Sequence, residues 1–130
     1  MSIERITIVN TEISIKEFEN GYYICPNISS YSFKIEPSYL AAHHNKQVKY
    51  LAQVRATGVV KLVDGEYKAE PKIYYEPDKD VIKDLLINAY KEAQRISNFD
   101  RTETTTAEGS KVFLLREVHD ISADYTPGYS

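Results

Sequence analysis

The sequence predicts an α+β domain, a small, mixed and strongly twisted β-barrel with one long amphipathic helix packed on it. Short runs of alternating apolar and polar residues, separated by Gly, Pro and Asn, are typical of strands. The dipeptide Asp64-Gly65 lies between two such runs and indicates a hairpin. A later segment repeats apolar residues at helical spacing. At 130 residues the chain has the length of one domain with its own core.

The N-terminal part predicts a short strand, a second element of either strand or helix, and a further short strand. Residues Ile3–Val9 alternate well enough for a strand, with Ile6 and Ile8 on one face. The next segment, Ile13–Phe18, fits either a strand or a turn of helix. Asn20-Gly21 then indicates a turn, and Tyr22–Cys25 predicts a second short strand that ends before proline.

The middle of the chain predicts a long hairpin. Lys49–Ala56 alternates as a strand, Gly58 bends or bulges it, and the turn at Asp64-Gly65 leads into a return strand from Tyr67 towards Tyr75. One face of the first strand is expected to carry its even-numbered residues, which are Tyr50, Ala52, Val54 and Ala56.

The clearest single element is a helix that begins near Pro77 and Asp78, where acidic groups suit the positive end of the helix dipole. Its apolar residues fall on one side and predict a helix lying on a sheet. These residues are Ile82, Leu85, Leu86, Ala89, Tyr90, Ala93 and Ile96.

The C-terminal part predicts a polar loop over Asp100–Ser110, a last strand over Lys111–Ile121 and a loose tail from about residue 122. The strand is apolar on both faces, so we expect it to be central in the sheet. Val112, Leu114 and Val118 are expected on one face, and Phe113 and Leu115 on the other.

Composition excludes several classes of function. The net charge of −3 argues against binding nucleic acid over a broad surface, because such binding needs many basic side chains. Cys25 is the only cysteine, which excludes an internal disulfide and a cysteine-based zinc site. The sequence lacks an apolar run of membrane-spanning length and a signal-peptide pattern, so we expect a cytoplasmic protein without a membrane partner.

Three segments together resemble the PUA-like superfamily, which includes the ASCH and EVE domains, and in particular the compact versions found with restriction and other defence nucleases. Tyr39–His44 is similar to an aromatic-apolar strand that ends in a polar pair. Val48–Val60 is similar to a strand leading into a hairpin, and Ala107–Val118 to the closing strand of such barrels. The resemblance covers about Tyr22–Ile121 and treats residues 1–130 as one domain.

The resemblance implies a concave pocket at one end of the barrel that holds a flipped or modified base, or a nucleotide-like group. Such a pocket needs aromatic faces for stacking, polar groups for the base edge and cations for phosphate. Residues of these types lie in and near the first segment. Tyr39 and Tyr50 would stack, His43 and Asn45 would read polar edges, Lys46 and Lys49 would contact phosphate, and Tyr23, Asn27, Ser29 and Tyr31 would form the facing wall.

Structural roles compete with these functional ones. Tyrosines in strands are more often core or rim residues, and a basic cluster on a hairpin is more often a solvated face or edge protection. Adjacent His43 and His44 point to opposite faces of a strand, so a shared metal ion is not expected. The sequence has no nucleophile motif or paired carboxylates, so it supports neither catalysis nor a cofactor.

The sequence therefore favours a non-catalytic recognition module for nucleic acid or a nucleotide. The alternative is a protein-interaction domain, such as an accessory subunit of a nuclease, an inhibitor or a phage counter-defence protein. The tyrosine content of the chain fits this alternative equally well, since tyrosine is enriched in protein interfaces. A small hydrolase of the ASCH-like kind is a third interpretation, although an acid-base group for it is not evident.

Overall fold

A computed structural model of the chain describes residues 6–12, 14–26, 38–74, 78–97 and 109–121. These residues form six strands and two helices. In chain order the elements are β1 (Ile6–Asn10), α1 (Ile15–Glu19), β2 (Tyr22–Pro26), β3 (Tyr39–His44), β4 (Gln47–Val63), β5 (Glu66–Tyr74), α2 (Lys79–Ser97) and β6 (Ser110–Asp120).

The six strands form one mixed sheet in the order β1-β3-β4-β6-β2, with β5 paired to β4 outside this path. β1 is parallel to β3, and the remaining pairs are antiparallel. The fold is thus a small α+β domain, an open twisted sheet with one long helix. β6 lies between β4 and β2, which confirms the prediction of a central last strand.

Strand β4 connects the two ends of the sheet because it is much longer than its neighbours. Its first half pairs with β3 from Gln47 to Gln53, and its second half pairs with β5 from Ala56 to Val63. β6 runs along its other edge from Tyr50 to Val60. A side chain on β4 therefore belongs to one of two structurally different halves of the domain.

Two hydrophobic clusters cover opposite faces of the sheet. The first contains Phe18 of α1, so we call its side the α1 face; the second contains the buried side of α2 and defines the α2 face. The α1 face carries Val9, Phe18, Tyr23, Cys25, Leu40, Ala42, Ala52, Val54, Phe113 and Leu115. The α2 face carries Ile24, Ala56, Val60, Ile82, Leu86, Ala89, Tyr90, Ala93, Val112 and Leu114.

Two bulges overturn parts of the predicted strand faces. Between Val54 and Ala56 the register with β6 shifts, so Val54 pairs with Leu115 and Ala56 pairs with Leu114. Ala56 therefore lies on the α2 face and not with Val54, because Arg55 is the extra residue of the bulge. The prediction that Ala56 continues the face of Tyr50, Ala52 and Val54 is wrong for this reason.

The second bulge lies in β6 at Glu117, whose φ is 54°. Gln53 pairs with Arg116 and Leu51 with His119, so two residues of β6, Glu117 and Val118, oppose the single residue Ala52 of β4. Val118 consequently packs on the α1 face, whereas Val112 and Leu114 lie on the α2 face. The prediction that these three residues share a face is therefore wrong.

Several turns and termini agree with the sequence. Asp64 and Gly65 both have positive φ, 52° and 80°, as a two-residue hairpin turn requires. The open choice over Ile13–Phe18 is settled for its described part, since helix α1 begins at Ile15. Asp78 Oδ1 accepts hydrogen bonds from the backbone N–H groups of Asp80 and Val81, at 2.9 and 3.4 Å, which confirms a helix start there.

Other predictions fall outside the described residues. They include the loop over 100–108, the tail over 122–130 and the first residues of the N-terminal strand. Within the described part of the chain, no helix is long and apolar enough to cross a membrane.

Candidate functional site

The predicted polar corner of the site is a tight turn between β3 and β4. Asn45 and Lys46 occupy it with φ of 55° and 69°, and both are exposed. The backbone O of His43 accepts hydrogen bonds from Thr11 N–H and Oγ1, at 2.9 and 3.0 Å. The N–H of Asn45 donates to Glu12 Oε1 at 2.7 Å. The segment after β1 therefore holds this hairpin in place.

Tyr50 is engaged by its own domain. Its ring stacks on Phe18 with 6.3 Å between centroids, and its hydroxyl donates to Glu19 Oε2 at 2.5 Å. That hydrogen bond, helped by desolvation and nearby carboxylates, raises the pKa of Tyr50 to about 12. Lys49 Nζ lies 5.6 Å from the centre of the same ring. These contacts fix Tyr50 as part of the α1 packing.

Tyr39 and Tyr50 do not face one hollow, so that part of the predicted arrangement is wrong. In the β3–β4 register Tyr39 pairs with Gln53, whereas Tyr50 pairs with Ala42. Paired residues share a face, which places Tyr39 on the α2 face and Tyr50 on the α1 face. A hollow of about 130 Å³ does border Tyr39, lined also by Leu51 and His119. It is too small for a nucleotide by the usual scale of ligand pockets, roughly 300 Å³ and above.

The predicted facing wall is only partly described. Tyr23 is buried, with 7% exposure, and its ring is tilted against Phe113 with 5.8 Å between centroids. Asn27, Ser29 and Tyr31 lie outside the described residues. Tyr23 is therefore separated from the hairpin turn and belongs to a different part of the α1 face, where β2, β6 and the second half of β4 meet.

That part of the α1 face holds an unusual set of side chains. Cross-strand pairing places Tyr23 beside Phe113 and Cys25 beside Lys111. On the other side of β6, Phe113 pairs with Thr57. We call these five residues, Tyr23, Cys25, Thr57, Lys111 and Phe113, the Lys111 cluster.

Thr57 contributes a buried hydroxyl to this cluster. Its side chain is fully buried, and no described residue gives its Oγ1 a hydrogen-bond partner. A buried polar atom left in this state costs about 1–3 kcal/mol. Functional sites are one setting in which proteins keep such groups.

Lys111 contributes a buried cation. It is only 7% exposed, and its Nζ lies 5.3 Å from the centre of the Phe113 ring, which is cation–π distance. Lysine is rarely buried to this extent, because desolvating an ammonium group is costly unless another group compensates it. Thr57 and Lys111 occupy diagonal positions on neighbouring strands, which are about 7–8 Å apart at the backbone and within reach of a long side chain.

The cluster therefore combines a cation, a hydroxyl that lacks a partner among the described residues and two aromatic rings, all on one face and all buried. Side chains of these types bind flat groups with a negative charge, since rings stack, an ammonium supplies charge and a hydroxyl can donate or accept. Because all five residues are buried, binding here would require the cluster to open.

Sequence reasoning missed Thr57, Lys111 and Phe113 as site residues. A signal for Lys111 was present, because it is the one cation in the apolar run of β6 and shares its predicted face with Phe113 and Leu115. The signal for Thr57 was hidden, since only the bulge at Arg55 turns it to the α1 face.

Metal chemistry finds no support in the described part of the chain, where no group of three histidine, cysteine or acidic residues comes together. Comparison with known proteins adds no relative: no protein-family model, no curated protein and no solved structure matches this chain. The case for a function thus depends on the geometry and chemistry of the cluster.

Proposed function

We propose that this protein is a non-catalytic recognition module that binds a nucleotide-like group at the Lys111 cluster. The group is either a free nucleotide or a flipped or modified base of a nucleic acid. The observation that carries the proposal is a buried lysine on the same sheet face as a buried threonine hydroxyl to which no described residue gives a partner.

Each part of the cluster has a role in this proposal. The rings of Tyr23 and Phe113, which pack against each other in the free protein, would have to separate to stack on a base, and such stacking is worth about 1–3 kcal/mol per base in single-strand binding proteins. Lys111 attracts the phosphate or another anionic edge. The hydroxyl of Thr57 gains in the complex the hydrogen bond that no described residue gives it.

The proposal includes the closed, PUA-like form of the barrel. The twisted mixed sheet with one long helix is compatible with it. In addition, Lys111 and Phe113 lie within Ala107–Val118, the segment that resembles the closing strand of such barrels. The association with a defence nuclease and the cytoplasmic location are parts of the same proposal. The buried Cys25, the only cysteine of the sequence, forms no internal disulfide and suits a reducing compartment.

A binding screen tests the proposal. Nucleoside monophosphates, and oligonucleotides with and without modified bases, are titrated against the protein at two salt concentrations. One lysine predicts a shallow salt dependence, with a slope of log K against log salt of about −0.7 to −0.9. A slope two or more times steeper would instead favour several exposed lysines, and absence of binding by every compound at millimolar concentration would reject the proposal.

A second candidate function, a protein-interaction domain, is favoured by a different observation. An apolar strip on the α2 face lines a hollow of about 150 Å³ beyond the region that α2 packs against. Two of its residues, Ile6 and Ile8, are 58% and 50% exposed and lie on β1, which ends the described sheet. The strip consists of Ile6, Ile8, Ala41, Val48, Leu51 and Ile121.

The partner that this strip suits most simply is a second copy, because an uncharged apolar surface is complementary to itself and strand β1 can extend the sheet across a twofold axis. Light scattering after gel filtration tests this function. A dimer that Ile8→Lys converts into a monomer would support it, whereas a wild-type monomer at high micromolar concentration would reject it.

A further inference from the structure

A third hollow lies on the α2 face, on the side of the sheet opposite to the Lys111 cluster. Its volume is about 270 Å³. The turn before β2, the middle of α2 and the bulge of β4 surround it. We call it the Arg55 hollow after its one charged residue. Its floor includes Leu85 and Leu114, and its polar rim includes Asn20, Tyr22, Arg55 and Asn88.

The bulge explains why a guanidinium reaches this hollow. Val54 and Ala56 pair with consecutive residues of β6, so Arg55 is the extra residue between them. An extra residue of this kind leaves the regular alternation of the strand, and bulges are common where a protein re-aims a side chain beside a site. Arg55 is half-buried, whereas Asn88 on α2 is exposed.

The walls of the hollow are fixed by hydrogen bonds and packing. Asn20 Nδ2 donates to the backbone O of Lys16 at 2.7 Å, and the N–H of Leu115 donates to the O of Gly21 at 2.8 Å. Tyr22 and Leu85 both pack against the second hydrophobic cluster. The hollow is therefore pre-formed on rigid elements, as small-molecule sites usually are.

We infer that the Arg55 hollow is a second binding site, for a small ligand with a flat apolar body and one carboxylate or phosphate. The leucines of the floor and the ring of Tyr22 suit the apolar body. The guanidinium of Arg55 has five N–H donors in a fork that fits a carboxylate or a phosphate. The side chains of Asn20 and Asn88 add amide groups at the rim.

Benzoate and phenyl phosphate are suitable probes, and benzyl alcohol is the uncharged control. Titration followed by amide NMR is expected to shift the signals of Leu85, Asn88 and Ala89 with millimolar affinity for the two anions. Arg55→Gln should weaken both anions about tenfold, the effect of a lost charge-assisted contact of about 1.4 kcal/mol.

Two further variants make the result decisive. Asn88→Asp changes an exposed helix residue, so folding is preserved, and its negative charge should weaken both anions several-fold. Arg116→Gln removes the same charge from an exposed arginine outside the hollow, where it donates to Gln53 at 2.8 Å, and should leave binding unchanged. Equal binding of benzyl alcohol, equal loss in Arg116→Gln, or shifts only around the Lys111 cluster would overturn the inference. This site lies on the other face of the sheet, so it stands or falls independently of the proposed function.

Discussion

The two halves of strand β4 treat their polar groups in opposite ways. In the first half and the hairpin that it forms with β3, polar groups have partners: Thr11 binds the O of His43, and the hydroxyl of Tyr50 binds Glu19. In the second half, Thr57 is fully buried and no described residue bonds its hydroxyl, and the buried Lys111 lies diagonally across from it.

This difference favours the second half of β4, and not the β3–β4 hairpin, as the location of a binding site. The hairpin displays aromatic and basic residues that look functional in the sequence, yet its aromatic and polar contacts serve the fold. The second half buries the hydroxyl of Thr57, to which no described residue gives a partner, and burying such a group lowers stability. Burial of such groups, more than exposure of basic ones, therefore marks the candidate site.

The largest expected effect is on ligand affinity and comes from Lys111→Met. Methionine keeps the length and apolar stem, but the charge is lost, so a nucleotide found in the screen should bind about tenfold to a hundredfold more weakly, corresponding to about 1.5–3 kcal/mol. Isothermal titration calorimetry measures this change.

The matched control for the β3–β4 hairpin is the double variant Lys46→Met and Lys49→Met. It removes two cations of the hairpin, and binding should change less than twofold. If the double variant loses binding and Lys111→Met keeps it, the roles assigned to the two halves of β4 are reversed.

The next effect is on stability and comes from Gly58→Ala. A Cβ at this position would lie 2.5 Å from Leu86 Cδ1 and 2.8 Å from the backbone O of Glu70. Such overpacking costs about 1–3 kcal/mol, which urea denaturation measures. As a control, Gly65→Asn should cost far less, since nothing lies within 4 Å and asparagine tolerates its φ of 80°. Equal stability of Gly58→Ala and wild type would show that α2 is not packed closely on this half of β4.

A pair of buried threonines sharpens the comparison further. Thr57→Val keeps the side-chain shape and removes a hydroxyl without a described partner, so the unliganded protein should gain about 1 kcal/mol while its ligand affinity falls. Thr11→Val removes a hydroxyl that donates to the O of His43 at 3.0 Å, so it should lose about 1 kcal/mol. Thermal denaturation with and without nucleotide measures both. A loss of stability in Thr57→Val would mean that its hydroxyl does have a partner in the free protein.

The smallest effect is that of Tyr50→Phe, about 0.5–1.5 kcal/mol of stability and no change in ligand affinity. It also predicts a pH dependence. The pKa of Tyr50 is raised to about 12 in the folded protein, from about 10 in the unfolded chain. Between these values the folded state keeps a proton that the unfolded state loses, so this contribution is complete below about pH 10 and disappears as the pH rises to about 12. Wild type should therefore lose stability more steeply than Tyr50→Phe over this range; parallel curves would contradict the Tyr50–Glu19 contact.

Most of the fold was predictable because it follows local rules. The turn at Asp64-Gly65, the cap at Asp78 and the amphipathic face of α2 each depend on a few neighbouring residues. The bulges at Arg55 and Glu117 were not predictable, because they arise from how β4 and β6 pair across more than fifty residues of sequence.

Of the predicted site residues, only Tyr23 belongs to the Lys111 cluster, and its predicted neighbours Asn27, Ser29 and Tyr31 lie outside the described residues. The proximity of Tyr23, Thr57 and Lys111 could not be predicted from the sequence, since the three residues are far apart in the chain and lie on three different strands. Tyr39 and Tyr50 lie on opposite faces because of the β3–β4 register, which pairs Tyr39 with Gln53 and Tyr50 with Ala42.

The most direct test is to titrate the protein with a nucleotide that binds in the screen and to map by NMR which half of β4 shows amide shift changes. The largest amide shift changes are expected in Tyr22–Pro26, Thr57–Val59 and Ser110–Leu114, with little change in His43–Tyr50. Shifts concentrated at the hairpin, with the Lys111 cluster unmoved, would contradict this expectation.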